Sequence, residues 1–146
     1  MRILIAGNFT YPFETASATR IRLLSDGLVA AGAEVMGVPT TAVDPRREDA
    51  SADGRHRYHG IPYQPVFVQR IADASLAARA LLVFREVRYT KARLTEILKE
   101  FRADVVVMYV SDSIYAAPIR RVARACNVPI VSDVVEWHSA SSWYGG

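Results

Sequence analysis

The sequence predicts an α/β protein with a Rossmann-like, doubly wound parallel sheet, and three observations carry that prediction. Short apolar runs recur at 2–7, 34–39, 104–110 and 128–135; runs that are apolar without alternation belong to strands covered on both faces. The stretches between them place apolar residues at helical spacing. Strands alternating with helices in this way imply parallel pairing with right-handed crossovers and helices on both faces.

Each element has its own signal. Arg2-Ile3-Leu4-Ile5-Ala6-Gly7 opens as a strand closed by glycine. Residues 8–16 hold Pro12 and no periodicity, which makes them a loop. Ile21, Leu24, Leu28 and Ala31 recur at spacings of three and four, an amphipathic helix from about 17 to 31 stopped by Gly32. Thr15, Ser17 and Thr19 all suit its cap, and spacing does not choose among them. The second strand is 34–39. Residues 40–60 are polar and turn-rich, and 59–63 with 65–68 read as an irregular strand near a sheet edge, where proline is tolerated. The longest helical pattern runs from about 73 to 101, as one helix or as two broken near Tyr89-Thr90. Residues 104–110 form the clearest strand, expected beside 3–6 at the centre of the sheet; 114–126 is a helix and 128–135 a strand. The tail 136–146 is polar and aromatic.

Composition narrows the classes. The 146 residues fit one domain on a prior of ~100–200 residues. With 51% hydrophobic and 23% charged residues, the chain is no disordered segment. Cys126 is the one cysteine, so no internal disulfide is available, and before Asn127 it reads as a small buried residue. The opening run is too short for a signal peptide, and no stretch approaches the ~18 apolar residues of a membrane span. A cytoplasmic location is expected. The net charge is +3, and the whole excess lies after residue 73, chiefly in Arg79, Arg85, Arg88, Lys91, Arg93, Lys99 and Arg102. Such a cluster suits an anionic membrane, nucleic acid or phosphorylated substrate, but more often it is a solvated helix face. His56 and His59 have a metal-like i, i+3 spacing without a carboxylate or cysteine companion, so they read as surface polarity and no metal site is expected.

In a doubly wound sheet, ligands sit outside the carboxyl ends of the strands. Three polar and aromatic segments fall there: 8–20, 109–115 and 136–143. Gly7 is followed by neither G-x-G-x-x-G nor a P-loop, which removes the main support for dinucleotide and P-loop readings. Thr15, Ala16 and Ser17 open a helix with small residues and free N–H groups, and Arg20 adds a fork of donors suited to a phosphate. The plain alternative is a capped helix with Arg20 in water. Tyr109 and Asp112 follow the clearest strand as further binding candidates, although Asp112 or Ser113 also suits a helix cap. Trp137, Trp143 and Tyr144 can stack on a sugar ring or cover the sheet end.

Phe9-Thr10-Tyr11-Pro12, then Arg20, then Leu28-Val29-Ala30-Ala31-Gly32-Ala33-Glu34-Val35 resembles the start of GT-B glycosyltransferases of the family-four type. The family's glycine pair is replaced by Thr15 and Ala16, with Ser17 next. Arg102-Ala103-Asp104-Val105-Val106-Val107 and Asn127-Val128-Pro129-Ile130-Val131 continue the likeness, which spans nearly the whole chain and matches poorly at 40–70. After that strand the family often places an acidic or histidine residue facing the cleft, and Asp133-Val134-Val135-Glu136-Trp137-His138 resembles the acidic variant.

The resemblance implies a single acceptor-side domain over 1–146, a fragment lacking the donor-binding domain. The implied activity is sugar transfer from a nucleotide-sugar donor to an acceptor hydroxyl on a glycan, lipid or small molecule, with retention. It requires no cofactor or obligatory metal. Glu136 would act as base or orient the acceptor, with His138 as its substitute. Peripheral contact with the inner face of a membrane through the basic helix is a further expectation, and nucleic acid is not an expected partner. The alternatives are a non-catalytic module binding a partner subunit or phosphorylated ligand, and a membrane-surface adaptor.

Overall fold

The computed structural model describes residues 1–11, 15–40, 56–66, 76–110 and 113–133, with the backbone course alone for 76–88 and 113–115. The elements are β1 (Arg2–Gly7), α1 (Ala16–Ala30), β2 (Glu34–Pro39), β3 (His56–Tyr58), β4 (Ile61–Tyr63), α2 (Leu76–Phe101), β5 (Val105–Tyr109), α3 (Ser113–Ala125) and β6 (Ile130–Asp133). They form a six-stranded sheet in the order β3-β4-β2-β1-β5-β6. The pairs β1–β2, β1–β5, β2–β4 and β5–β6 are parallel, and β3–β4 is antiparallel. The fold is the expected doubly wound α/β sheet, with β1 and β5 as central neighbours.

Side chains alternate across the sheet and divide the core in two. Leu4, Ala6, Met36, Val38, Val106 and Met108 face α2 and α3, where they meet Leu94, Ile97, Leu98, Phe101, Ile119 and Val122. Cys126 packs at the margin of this cluster as a small apolar group. Ile3, Ile5, Val35 and Tyr109 face the other way, onto Ala18 and Ile21 of α1 and the rings of Phe9, Tyr11, Tyr58 and Tyr63. Full burial of one such aliphatic or aromatic side chain contributes about 1.5–3 kcal/mol. Gly37 makes room for the rings: a Cβ there would stand 3.2 Å from Cε2 of Tyr11 and 3.3 Å from Cβ of Tyr63.

The helix ends follow one chemistry. Thr15 caps α1 by accepting from the N–H of Ala18 at 3.2 Å, which decides among the three candidate caps. The three described helices each stop on a left-handed residue: Gly32 (φ 85°), Arg102 (φ 54°) and Asn127 (φ 56°). Each time the next N–H reaches back six residues inclusive: Ala33 to Leu28 O, Ala103 to Leu98 O and Val128 to Ala123 O. Glycine and asparagine announce such a stop, whereas arginine does not.

Two readings are corrected or resolved. The long helix is one helix, continuous through Tyr89-Thr90. The edge strand is a hairpin, with β3 inside the stretch read as turn-rich and His59-Gly60 as its two-residue turn. Both turn residues have positive φ (48° and 83°), the form whose twist matches paired strands. Among the described residues, no helix is long and apolar enough to cross a membrane.

Candidate functional site

Three strands end in one row at the carboxyl edge, where Gly7 of β1 is level with Tyr109 of β5, and Tyr109 with Asp133 of β6. The row is tight. A Cβ on Gly7 would lie 1.8 Å from the carbonyl oxygen of Tyr109, so only glycine fits, and that carbonyl accepts the N–H of Asn8 at 2.9 Å. The chain then turns over the edge through Phe9 and Tyr11. Phe9 meets Tyr11 edge-on at 4.8 Å between centroids and Tyr109 at 6.5 Å. These rings anchor the loop that leads to α1.

At the start of α1, Thr15 is the centre of a hydroxyl group of three. Its Oγ1 lies 2.7 Å from Oγ1 of Thr10 and 3.0 Å from Oγ of Ser17. Ala16 stands exposed beside them with no side chain to obstruct a ligand. One turn further along the helix, Arg20 reaches across to β6: its Nε donates to Oδ2 of Asp133 at 3.2 Å and its Nη2 to Oδ1 at 2.8 Å. The Arg20 side chain is half exposed, whereas that of Asp133 keeps only 19% of its surface. The hydrogen bonds that it donates to Asp133, then the charge of that carboxylate, push the Arg20 guanidinium further up from an already high value. Arg20 is thus paired with a carboxylate of the chain through two of its donors while half of its side chain stays exposed.

Of the predicted site residues, the structure brings Thr15, Ala16, Ser17 and Arg20 to one edge with Tyr109. Tyr109 is nearly buried and serves the edge through its ring packing and its carbonyl. Asp112, Glu136 and His138 lie outside the described residues. Sequence reasoning missed three others: Asp133; Thr10; and Thr40, whose N–H donates to Gly7 O at 2.8 Å and whose buried hydroxyl has no partner among the described residues. No local signal marks Asp133, because β6 meets α1 only through the strand order β1-β5-β6.

The rest of the surface is less suggestive. Burial pushes the Tyr11 phenol far above its ordinary value, with the neighbouring Ser25 hydroxyl countering part of the push. His56 and His59 each pack on a tyrosine ring, Tyr63 and Tyr58 respectively. Among the described residues, no group of three His, Cys, Asp or Glu could hold a metal ion. A shallow depression of about 310 Å³, lined by Arg2, Glu34, Glu100, Phe101 and Arg102, lies at the opposite, amino edge. There Arg2 pairs with Glu34 at 3.1 Å, and its N–H donates to Asp104, stapling strand starts together. The carboxyl edge instead carries hydroxyls, small residues and a charge-compensated pair, groups that both donate and accept hydrogen bonds. Such an arrangement suits holding a polar ligand.

No protein-family model matches the sequence, and no curated protein matches it. In solved structures the fold is similar to the C-terminal domain of PF1911 hydrogenase from Pyrococcus furiosus, with a TM-score of 0.58, 12% identity and 90% of each chain covered. It is similar to SsfS6, a glycosyltransferase of Streptomyces sp. SF2575, with a TM-score of 0.57 and 17% identity over 97% of this chain and 41% of that one. MurG of Acinetobacter baumannii matches with a TM-score of 0.52 and 10% identity, over 90% of this chain and 34% of that one. The chain thus spans well under half the length of these two larger proteins. At such identities the likeness is one of architecture: this is an α/β sheet of the kind found in glycosyltransferase domains, and the hydrogenase domain shares it.

Proposed function

We propose that this chain is the acceptor-side half of a GT-B glycosyltransferase that moves a sugar from a nucleotide-sugar donor to an acceptor hydroxyl. One observation carries the reading: the candidate residues of the first loop and helix converge with the ends of β5 and β6 at the ligand edge of a glycosyltransferase-like fold. In this reading the hydroxyls of Thr15 and Ser17, the backbone at Ala16, and Arg20 hold the acceptor, with Tyr109 and Asp112 as further binding residues. As the acceptor oxygen attacks the anomeric carbon its proton must leave, and Glu136 takes it or orients the hydroxyl, with His138 as its substitute. The donor nucleotide is held by a second domain, and the reaction proceeds with retention and without a metal. The site works in the cytoplasm, and the basic helix can bring it to the inner membrane face.

The test is transfer from radiolabelled nucleotide-sugars by the whole enzyme containing this chain. Glu136→Gln should lower turnover by ~10²–10⁴-fold with the fold intact, and the 146-residue chain alone should transfer nothing. Robust transfer by the chain alone would end the half-enzyme reading. A second reading, a non-catalytic module for a partner subunit or phosphorylated ligand, draws on the C-terminal hydrogenase domain that matches this chain over 90% of each. A coding frame with a second α/β domain beyond Gly146 favours the enzyme over the module.

A further inference from the structure

We propose that the Arg20–Asp133 pair makes this part of the edge selective for an uncharged polyhydroxyl group over a phosphate or carboxylate, with Asp133 setting the preference. The inference narrows the acceptor class of the reading above and rests on it for the edge being a substrate site.

A phosphate recognised by arginine takes two parallel N–H donors of the fork. Here Asp133 already holds Nε and Nη2, at 3.2 and 2.8 Å. The carboxylate is well anchored, since it is mostly buried and belongs to the strand row level with Tyr109. The pair is neutral as a unit, since the Asp133 carboxylate directly offsets the charge of the guanidinium it touches. What the pair still offers is the second amino group of the guanidinium next to the remaining lone pairs of the carboxylate. Donors and acceptors side by side match hydroxyls, which do both, whereas a phosphate dianion presents mainly acceptor oxygens. The Thr10, Thr15 and Ser17 hydroxyls repeat that dual character nearby, and the Thr15 hydroxyl already serves the Ala18 N–H.

Inorganic phosphate is the probe, titrated into the 146-residue chain while the Nε–H resonance of Arg20 is followed by NMR. The wild-type resonance should stay in place through millimolar phosphate. Asp133→Asn should open the fork and give a saturable shift, with affinity raised about tenfold or more, the range of one charged hydrogen bond. Adding Arg20→Ala to that variant should abolish the gain, and Asp133→Ser should behave like Asp133→Asn. A saturable shift in the wild type, at an affinity within about twofold of the variant, would overturn the proposal. So would a natively folded Asp133→Asn that gains nothing. If neither variant folds, the wild-type titration decides alone: no shift supports the proposal and a saturable one overturns it. Transfer plays no part in this readout, so failure to find an enzyme leaves the selectivity claim standing. Conversely, an active enzyme whose phosphorylated acceptor needs Arg20 would overturn the selectivity claim alone.

Discussion

On the face covered by α2 and α3 the sheet meets aliphatic side chains carried by helices; on the face covered by α1 it meets rings carried by a loop and an edge hairpin. The two halves are comparably buried, yet they are built by different routes. The aliphatic half follows from helical period, because Leu94, Ile97, Leu98 and Phe101 recur at spacings of one, three and four. The aromatic half depends on where Phe9, Tyr11, Tyr58 and Tyr63 are delivered by chain that is not helical. Phe9 and Tyr11 also lead directly into Thr15 and Arg20. Packing that face and building the candidate site are therefore one event, whereas the aliphatic face only supports it.

Truncation on each face is the strongest way to break this contrast. Tyr11→Ala should cost about 3–5 kcal/mol, as for other buried aromatics, and should also move the NMR resonances of Arg20 and Thr15. Ile119→Ala on the other face should cost about 2–5 kcal/mol while leaving those resonances in place. Denaturant melts with paired spectra check both, and equal disturbance of the site by the two variants would remove the distinction.

Alkaline titration sharpens it further. Burial holds the Tyr11 phenol neutral in the folded chain well beyond the value of about 10 at which it ionises unfolded. The unfolded state releases its proton first, so this contribution is complete below pH ~10 and declines above it, by up to about 1.4 kcal/mol per pH unit. Tyr11→Phe should flatten that decline in melts taken between pH 9 and 11, and an unchanged slope would exclude Tyr11 as its source. The smallest effect belongs to the aliphatic side. Arg102, at φ 54° after α2, carries a conformation that glycine adopts without strain, so Arg102→Gly should stabilise by about 0.5–1 kcal/mol and raise the melting midpoint.

Much of the fold was legible because the relevant patterns are local. Continuous apolar runs located β1, β2 and β5, and period located α1 and α3. β3 escaped because His56-Arg57-Tyr58 shows no apolar alternation and its turn is His59-Gly60, not one of the asparagine or aspartate pairs that usually mark a hairpin. At the site, the small residues and Arg20 were legible from their place after a strand. The partner of Arg20 was not, since Asp133 is 113 residues away and the two meet only through strand order. The tight row at Gly7 was visible only as a glycine; its reason is the carbonyl of Tyr109.

The continuity of α2 has a geometric consequence. Twenty-six residues of helix extend about 39 Å, whereas the five residues of β5 extend about 17 Å. The described side chains that pack inward, Thr90 through Phe101, belong to the end of the helix nearest the amino edge. The helix therefore outreaches a strand of that length by about 22 Å. A helix that outreaches its strand has length to spare for contacts beyond the sheet, which a helix matched to its strand lacks.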